Sequence, residues 1–346
     1  MLKKHFVILF FLLSLGSIKA QTFADSSLAA WRTYLMFRHQ DTNYIKNYSQ
    51  HLTIRVVSNN KYNLIRLDDY TKGTNLMMRP EYNAALGLGF SYKWLSFDFL
   101  VNLGIENQKV ISTETMDVQL RLYNSKLLME GKLQYYNGYK VFRYNSKEIQ
   151  IDEERLHRQD ISTTTFGVSG YYAWNYNQFS LKAPFVGNEV QLKSKGSPIL
   201  GAAFNYINID ADSSLIPKPA QFDFDEKMNL TRFNTMSFAA GLGYIHSFVV
   251  QKRFFLTLGF IPCLSLNYGD FKYFENPKET ILWRPSFQLK ALNALGYNYK
   301  KIFCGIQYVG DFINISYVRR LNLLYSLGSV KFYIGYRFNT KTDKIK

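Results

Sequence analysis

The chain has 346 residues, 47% hydrophobic and 17% aromatic, with a formal charge of +16. A mean hydropathy of only −0.19 beside so many aromatics means that apolar groups interleave with polar ones, which excludes a Leu-rich bundle of membrane helices. The basic balance suits an anionic partner, but Lys and Arg are scattered and form no basic helix or patch, which excludes a nucleic-acid-binding module.

The N-terminus reads as an export signal. Lys3, Lys4 and His5 precede the apolar run "FVILFFLLSL" at 6–15, and Gly16, Ser17 and Ala20 offer small residues for cleavage after about Ala20. Ile18 departs from the small residue preferred at −3. An apolar run this short cannot span ~30 Å of hydrocarbon, and no cysteine follows it. The expected organisation is a signal peptide at 1–20, an N-terminal periplasmic segment at 21–49, a β-barrel domain at 50–338 and a tail at 339–346.

From residue 50 onward the pattern has period two, the mark of strands with different surroundings on each face. "HLTIRVV" sets Leu52, Ile54 and Val56 against Thr53 and Arg55, and "YNAALGLGFSYKW" sets Leu86, Leu88, Phe90 and Tyr92 against Gly87, Gly89, Ser91 and Lys93. The pattern predicts strands at about 50–67, 81–93, 95–104, 113–123, 126–137, 161–173, 197–208, 234–247, 252–268, 283–297, 301–310 and 328–338. That makes twelve strands with short turns on one side and long loops at 68–80, 138–160, 209–233, 269–282 and 311–327 on the other. The stretch 174–196 is then a long periplasmic excursion, or an extra hairpin that raises the count to fourteen. Asn293 interrupts an otherwise apolar row.

A soluble sandwich and a membrane barrel both alternate in this way. Charge-free apolar faces, aromatics at strand ends (Tyr92, Trp94, Tyr135, Trp174, Tyr244, Tyr297) and strands longer than the usual five or six residues select an all-β, antiparallel, transmembrane outer-membrane barrel. The last strand, "SVKFYIGYRF", ends in an aromatic, with Phe332, Ile334, Tyr336 and Phe338 on the lipid side. It resembles the C-terminal signal that barrel-assembly machinery reads, although the tail "NTKTDKIK" follows it.

"DTNYIKNYSQHLTIRVVSNNKYN" at 41–63, "LGLGFSYKWLSFDF" at 86–99, the hairpin "DVQLRLYNSKLLMEGKLQYYNGY" at 117–139 and the terminal strand together resemble an outer-membrane barrel family of the Bacteroidota catalogued as a domain of unknown function, number 4421. The resemblance covers nearly the whole mature chain. It implies an outer-membrane barrel and brings no catalytic residues.

Chemical motifs are sparse. "GLGF" at 87–90 lies within a strand and lacks the third glycine of a dinucleotide loop. "DADSS" at 210–214 opens like a calcium loop, but Leu215 and Gln221 stand where Gly and Glu belong. His246 and Ser247 are neighbours on a strand and therefore face opposite ways. No enzyme, metal or cofactor is expected. Two cysteines, Cys263 and Cys304, fall on opposite faces and are expected as free thiols.

The lumen face offers basic positions Arg55, Lys93, Arg121, Lys132, Arg253, Lys290, Lys331 and Arg337 against the acids Asp98, Asp117 and Glu130. This points to a passive channel or small-solute binding barrel with a basic lumen. The alternative is a non-conducting structural or interaction barrel acting through long outer loops, and a lipid-modifying enzyme comes third. Expected partners are outer-membrane lipid and lipopolysaccharide and the barrel-assembly machinery, in the outer membrane of a Gram-negative bacterium. A small-molecule ligand is left open.

Overall fold

The computed structural model describes residues 40–80, 85–92, 95–102, 113–144, 147–148, 157–274, 279–318 and 321–338. The expected signal peptide, most of the 21–49 segment and the tail lie outside them. Strands dominate: β1 Ile45–Asn47, β2 Leu52–Asp69, β3 Thr74–Arg79, β4 Ala85–Tyr92, β5 Leu95–Asn102, β6 Glu114–Tyr123, β7 Leu127–Tyr144, β8 Lys147–Glu148, β9 His157–Ala173, β10 Glu189–Gln191, β11 Lys195–Ala211, β12 Leu230–Val250, β13 Phe254–Tyr273, β14 Glu279–Tyr299, β15 Ile302–Val318 and β16 Leu321–Phe338. The one α-helix among the described residues, α1, is Lys182–Phe185, and two 3-10 turns follow at Lys218–Asp223 and Glu226–Met228.

The wall is antiparallel and closes on itself where β16 pairs with β2 over its whole length, from Leu321↔Asp69 to Phe338↔Leu52. The upper wall has ten strands, because β3 bridges β2 and β7 there (Ile65↔Met78, Leu76↔Tyr144). In the lower wall the place of β3 is taken by β4, β5 and β6, which makes twelve. The expected twelve strands are therefore all present at one end of the barrel and not at the other.

The outer face is what lipid requires. Phe99 is 70% exposed, Leu264 73% and Leu242 62%, although these are large apolar groups. Lower aromatics (Tyr92, Trp174, Tyr244, Tyr336) and upper ones (Tyr135, Tyr268, Trp283) are exposed at the margins of this band. Between them no Lys, Arg, Asp or Glu occupies a described outward position. A charge-free band between two aromatic girdles is the signature of a membrane-crossing barrel. Asn293 is tolerated within it because its Oδ1 accepts the Gly259 backbone N–H at 3.2 Å. The β13–β14 register skips the pairs between Thr257↔Ala294 and Phe260↔Ala291, and the side chain satisfies an amide that the ladder leaves there.

Above the upper girdle the pattern inverts. Ile313, Ile315, Leu323, Tyr325 and Leu327 turn inward and are buried. They join Ile65, Leu67, Met78, Ile207, Ile209 and Phe233 in an apolar core that fills the upper lumen. The expected loop 311–327 is thus strand, running through β15 and β16. Its apolar groups face the core and not lipid, because a wall standing above the membrane meets water outside. The other long loops shorten for the same reason, since β7, β9, β11, β12, β13 and β14 all extend into them.

Both ends of the lumen are filled. At the upper end residues 212–229 fold inward, burying Leu215, Ile216, Phe224 and Met228. Arg158 donates to the carbonyls of Ser214 (2.6 Å) and Leu215 (3.1 Å), and Asp69 accepts the Asp225 N–H (2.8 Å). At the lower end the 174–196 excursion is neither a free loop nor an extra hairpin of the wall. Its α1 and β10 enter the barrel, where Phe179, Leu181 and Phe185 pack against Leu128, Ile199, Ile245, Ile261 and Leu292. There β10 pairs with β1 (Ile45↔Gln191). Three wall side chains hold the plug by its carbonyls: Arg55 on Val186, Gln307 on Pro184 at 2.9 Å, and Arg337 on Gly187 at 3.0 and 2.7 Å.

Cys263 is buried on the inner face and Cys304 lies on the outer face, and both are free. Intact mass under non-reducing conditions is expected to show two thiols, and N-ethylmaleimide is expected to label Cys304 ahead of Cys263. A crosslink between the two would overturn the facing of β13 or β15.

Candidate functional site

Between the apolar upper core and the plug, the lumen carries a belt of charge. Inward parity on β2, β5 and β16 brings Arg55, Asp98 and Lys331 together. Arg55 Nη2 lies 2.7 Å from Asp98 Oδ1, and Lys331 Nζ lies 2.5 Å from Oδ2. On β6 and β7, Arg121 Nε donates to Glu130 Oε1 at 2.8 Å, and Glu130 also accepts from Lys290 of β14. Lys290 is shared with Asp311 of β15 at 3.3 Å, and Asp311 takes Lys132 at 2.6 Å. Asp117 receives Lys61 at 3.0 Å, Tyr136 OH at 2.5 Å and Gln134 Nε2 at 2.9 Å. Among the described residues, six bases thus meet four carboxylates. Charges held in a low-dielectric lumen persist only when paired in this way.

Of the sequence-predicted lumen bases, Arg55, Arg121, Lys132, Lys290 and Lys331 meet in this belt. Arg337 lies lower and binds the plug, stacked between Tyr48 and Phe303 at 4.7 and 4.1 Å. Lys93 lies outside the described residues. Arg253 is a correction. It sits exposed in the turn between β12 and β13, over the Tyr299 ring at 4.7 Å, because the ladder begins only at Val250↔Phe254 and a turn residue inherits neither face. Phe332, Ile334, Tyr336 and Phe338 all face outward on β16. The sequence reading missed Lys61, within the first strand, and Asp311, placed at the start of a loop. The inward series Phe303, Gln307, Val309, Asp311 on β15 is the signal that continues the strand. His246 and Ser247 do diverge: the His246 ring packs tilted against Phe248 at 4.3 Å, while Ser247 shares a hydrogen bond with Thr257 at 2.7 Å.

The belt is open on one side. β5 pairs only with β4, and β6 only with β7, so their facing edges share no ladder among the described residues. Unpaired strand edges at membrane depth are tolerated only beside protein or a polar cavity. Here they flank a pocket of about 460 Å³ that reaches from Phe97, Phe99 and Val118 on the outer wall to Arg121, Asp98 and Lys331 inside. Five bases (Arg55, Lys61, Arg121, Lys182, Lys331) line it against two carboxylates (Asp98, Asp117), with Arg121 and Lys182 also paired to Glu130 and Glu189 behind the lining. Lys61, Arg121 and Lys331 keep 27, 21 and 19% of their side chains exposed, whereas Lys132 and Lys290 across the lumen keep 7 and 2%. The exposed donors therefore belong to the pocket side. Gly89 makes this arrangement possible, since a Cβ there would come within 2.2 Å of Asp98 Oδ1 and 2.8 Å of Arg55 Nε.

No curated protein sequence matches the chain. Among solved structures it is similar to the outer membrane protease OmpT of Escherichia coli, at 8% identity over 85% of this chain and 98% of that one, with a TM-score of 0.35. It is also similar to the translocator domain of the autotransporter NalP of Neisseria meningitidis, at 11% identity over 91% and 96%, with a TM-score of 0.30. No residue or activity carries over at such values. The family model described as Domain of unknown function (DUF4421) matches residues 39–338, the whole of the barrel with its plug and charged belt, and the chain belongs to that family.

Proposed function

We propose that this protein is a non-conducting outer-membrane barrel that binds an anionic ligand in its wall pocket. The observation that carries the reading is the excess of five bases over two carboxylates around one cavity, in a lumen filled above and below. A pore is disfavoured because a conducting path would have to cross both the apolar upper core and the plug. A cavity of this size suits a small ligand or headgroup. The outer membrane is the location in which closed barrels with such an outer face reside. The reading assigns no catalytic residue.

Planar-bilayer recording on the purified protein is expected to show no steady conductance. Calorimetric titration with inorganic phosphate is expected to show saturable binding that Arg121→Gln weakens. A stable open channel, or an absence of phosphate binding by the folded protein, would overturn the proposal.

A further inference from the structure

The pocket opens toward lipid, not toward water. Phe97, Phe99, Val118 and Leu120, exposed by 52, 70, 58 and 60%, form its outer mouth within the charge-free band. In the membrane, water-borne solutes meet the plug below and the apolar core above, whereas in the detergent-purified barrel the mouth is reachable by inorganic phosphate. A ligand that reaches the belt from within the membrane must carry an apolar body and an anionic head.

A place for that body adjoins the mouth. Leu120 and Leu122 also border a groove of about 1190 Å³ on the lipid face, running from β6 across to β14. Its floor is a row of small residues at matching register: Gly170 opposite Ala202, and Ala202 opposite Ala240, with Gly131 beside them. Phe204, Phe238 and Leu264 form its far side. A Cβ built on Gly131 or Gly170 meets nothing within 4 Å, so the depth of the groove comes from missing side chains and not from backbone strain. Inside the pocket, Asn59 is 5% exposed, yet its Oδ1 has no hydrogen-bond partner. A buried carbonyl oxygen left in that state awaits a donor.

We infer that the pocket and groove form a lateral site for an anionic phospholipid, its phosphate among Lys61, Arg121 and Lys331, a headgroup hydroxyl on Asn59, and its acyl chains leaving between β5 and β6 to lie over Gly131, Gly170 and Ala202. The inference rests on the anion-binding reading above and adds the ligand's class and its route. Phosphate recognition by several Lys and Arg donors is charge-assisted and specific, and the chains bury apolar area that membrane lipid already supplies.

Native mass spectrometry of the detergent-purified barrel, titrated with dioleoyl phosphatidylglycerol and with dioleoyl phosphatidylcholine, tests this. The phosphatidylglycerol adduct is expected to form at least about tenfold more tightly, because both lipids offer the phosphate but phosphatidylcholine brings a quaternary ammonium against the basic side chains and has no hydroxyl for Asn59. Lys61→Gln and Arg121→Gln each reduce that preference. Gly131→Leu and Gly170→Leu fill the groove without a backbone clash and lower adduct formation, while heat-modifiable gel migration stays that of the wild type. Equal binding of the two lipids alongside intact phosphate binding would overturn the lipid assignment and leave the anion site standing. Loss of phosphate binding as well would overturn both. Unchanged phosphatidylglycerol binding in both folded glycine variants would remove the groove from the site.

Discussion

Glu130→Gln is expected to destabilise the folded barrel by about 3–5 kcal/mol, the cost of removing one partner from a buried ion pair. Glu130 keeps only 4% of its side chain exposed and is the shared acceptor of Arg121 and Lys290. Glutamine keeps the shape but not the charge. Lys290, 2% exposed, is then left to share Asp311 with Lys132, so two ammonium groups compete for one carboxylate. Restoring neutrality should recover much of the loss, because a missing buried pair costs less than a stranded charge. Urea titration of the heat-modifiable gel shift measures both effects. The midpoint falls for Glu130→Gln and recovers by half or more in Glu130→Gln/Lys290→Met. A single variant as stable as wild type, to within about 0.5 kcal/mol as for an ordinary surface change, would show that the belt is not buried as described.

The second large effect is expected at the plug. Arg337 is 1% exposed and donates to Gly187 O through both Nε and Nη2, and to Asn298 Oδ1 at 2.7 Å. Gly187 itself has φ +81°, and a Cβ there would come within 2.4 Å of the Phe303 ring. The plug therefore turns at this point against a rigid aromatic, with the Gly187 carbonyl held by the Arg337 guanidinium. Arg337→Met keeps the apolar packing but orphans the carbonyl, and hydrogen bonds to charged groups are worth about 1.5–3 kcal/mol each. Limited proteolysis should then cut within 174–196 in the variant and spare it in the wild type, while the wall stays resistant in both. Arg337→Lys should be intermediate, since an ammonium cannot reproduce the fork. A plug equally resistant in all three proteins would remove Arg337 from its retention and leave it to Arg55, Gln307 and the packing of Phe179, Leu181 and Phe185.

The sequence by itself determined the all-β class, the antiparallel barrel and the face of nearly every membrane-depth strand. Alternation is a local record of surroundings: Leu52, Ile54 and Val56, or Phe332, Ile334 and Tyr336, report lipid on one side whatever their strand pairs with. The same reading fails above the membrane, where Ile313, Ile315 and Tyr325 alternate with the apolar side inward, in a stretch whose pattern predicts a loop. The lumen bases were visible as candidates, yet their partners were not. Lys132 and Asp311 stand 179 positions apart, and Lys290 and Glu130 stand 160 apart. Closure of the ring alone brings them together. Tertiary structure also decided that the 174–196 excursion turns into the barrel. Its apolar residues Phe179, Leu181 and Phe185 carry no strand period, and only a lumen shaped to receive them shows where they are buried. The gap between β5 and β6 was equally out of reach. Each hairpin alternates normally, and an absent ladder leaves no mark on either sequence, because pairing of strand edges is set by where the neighbouring strand stands and not by the residues that would have formed it.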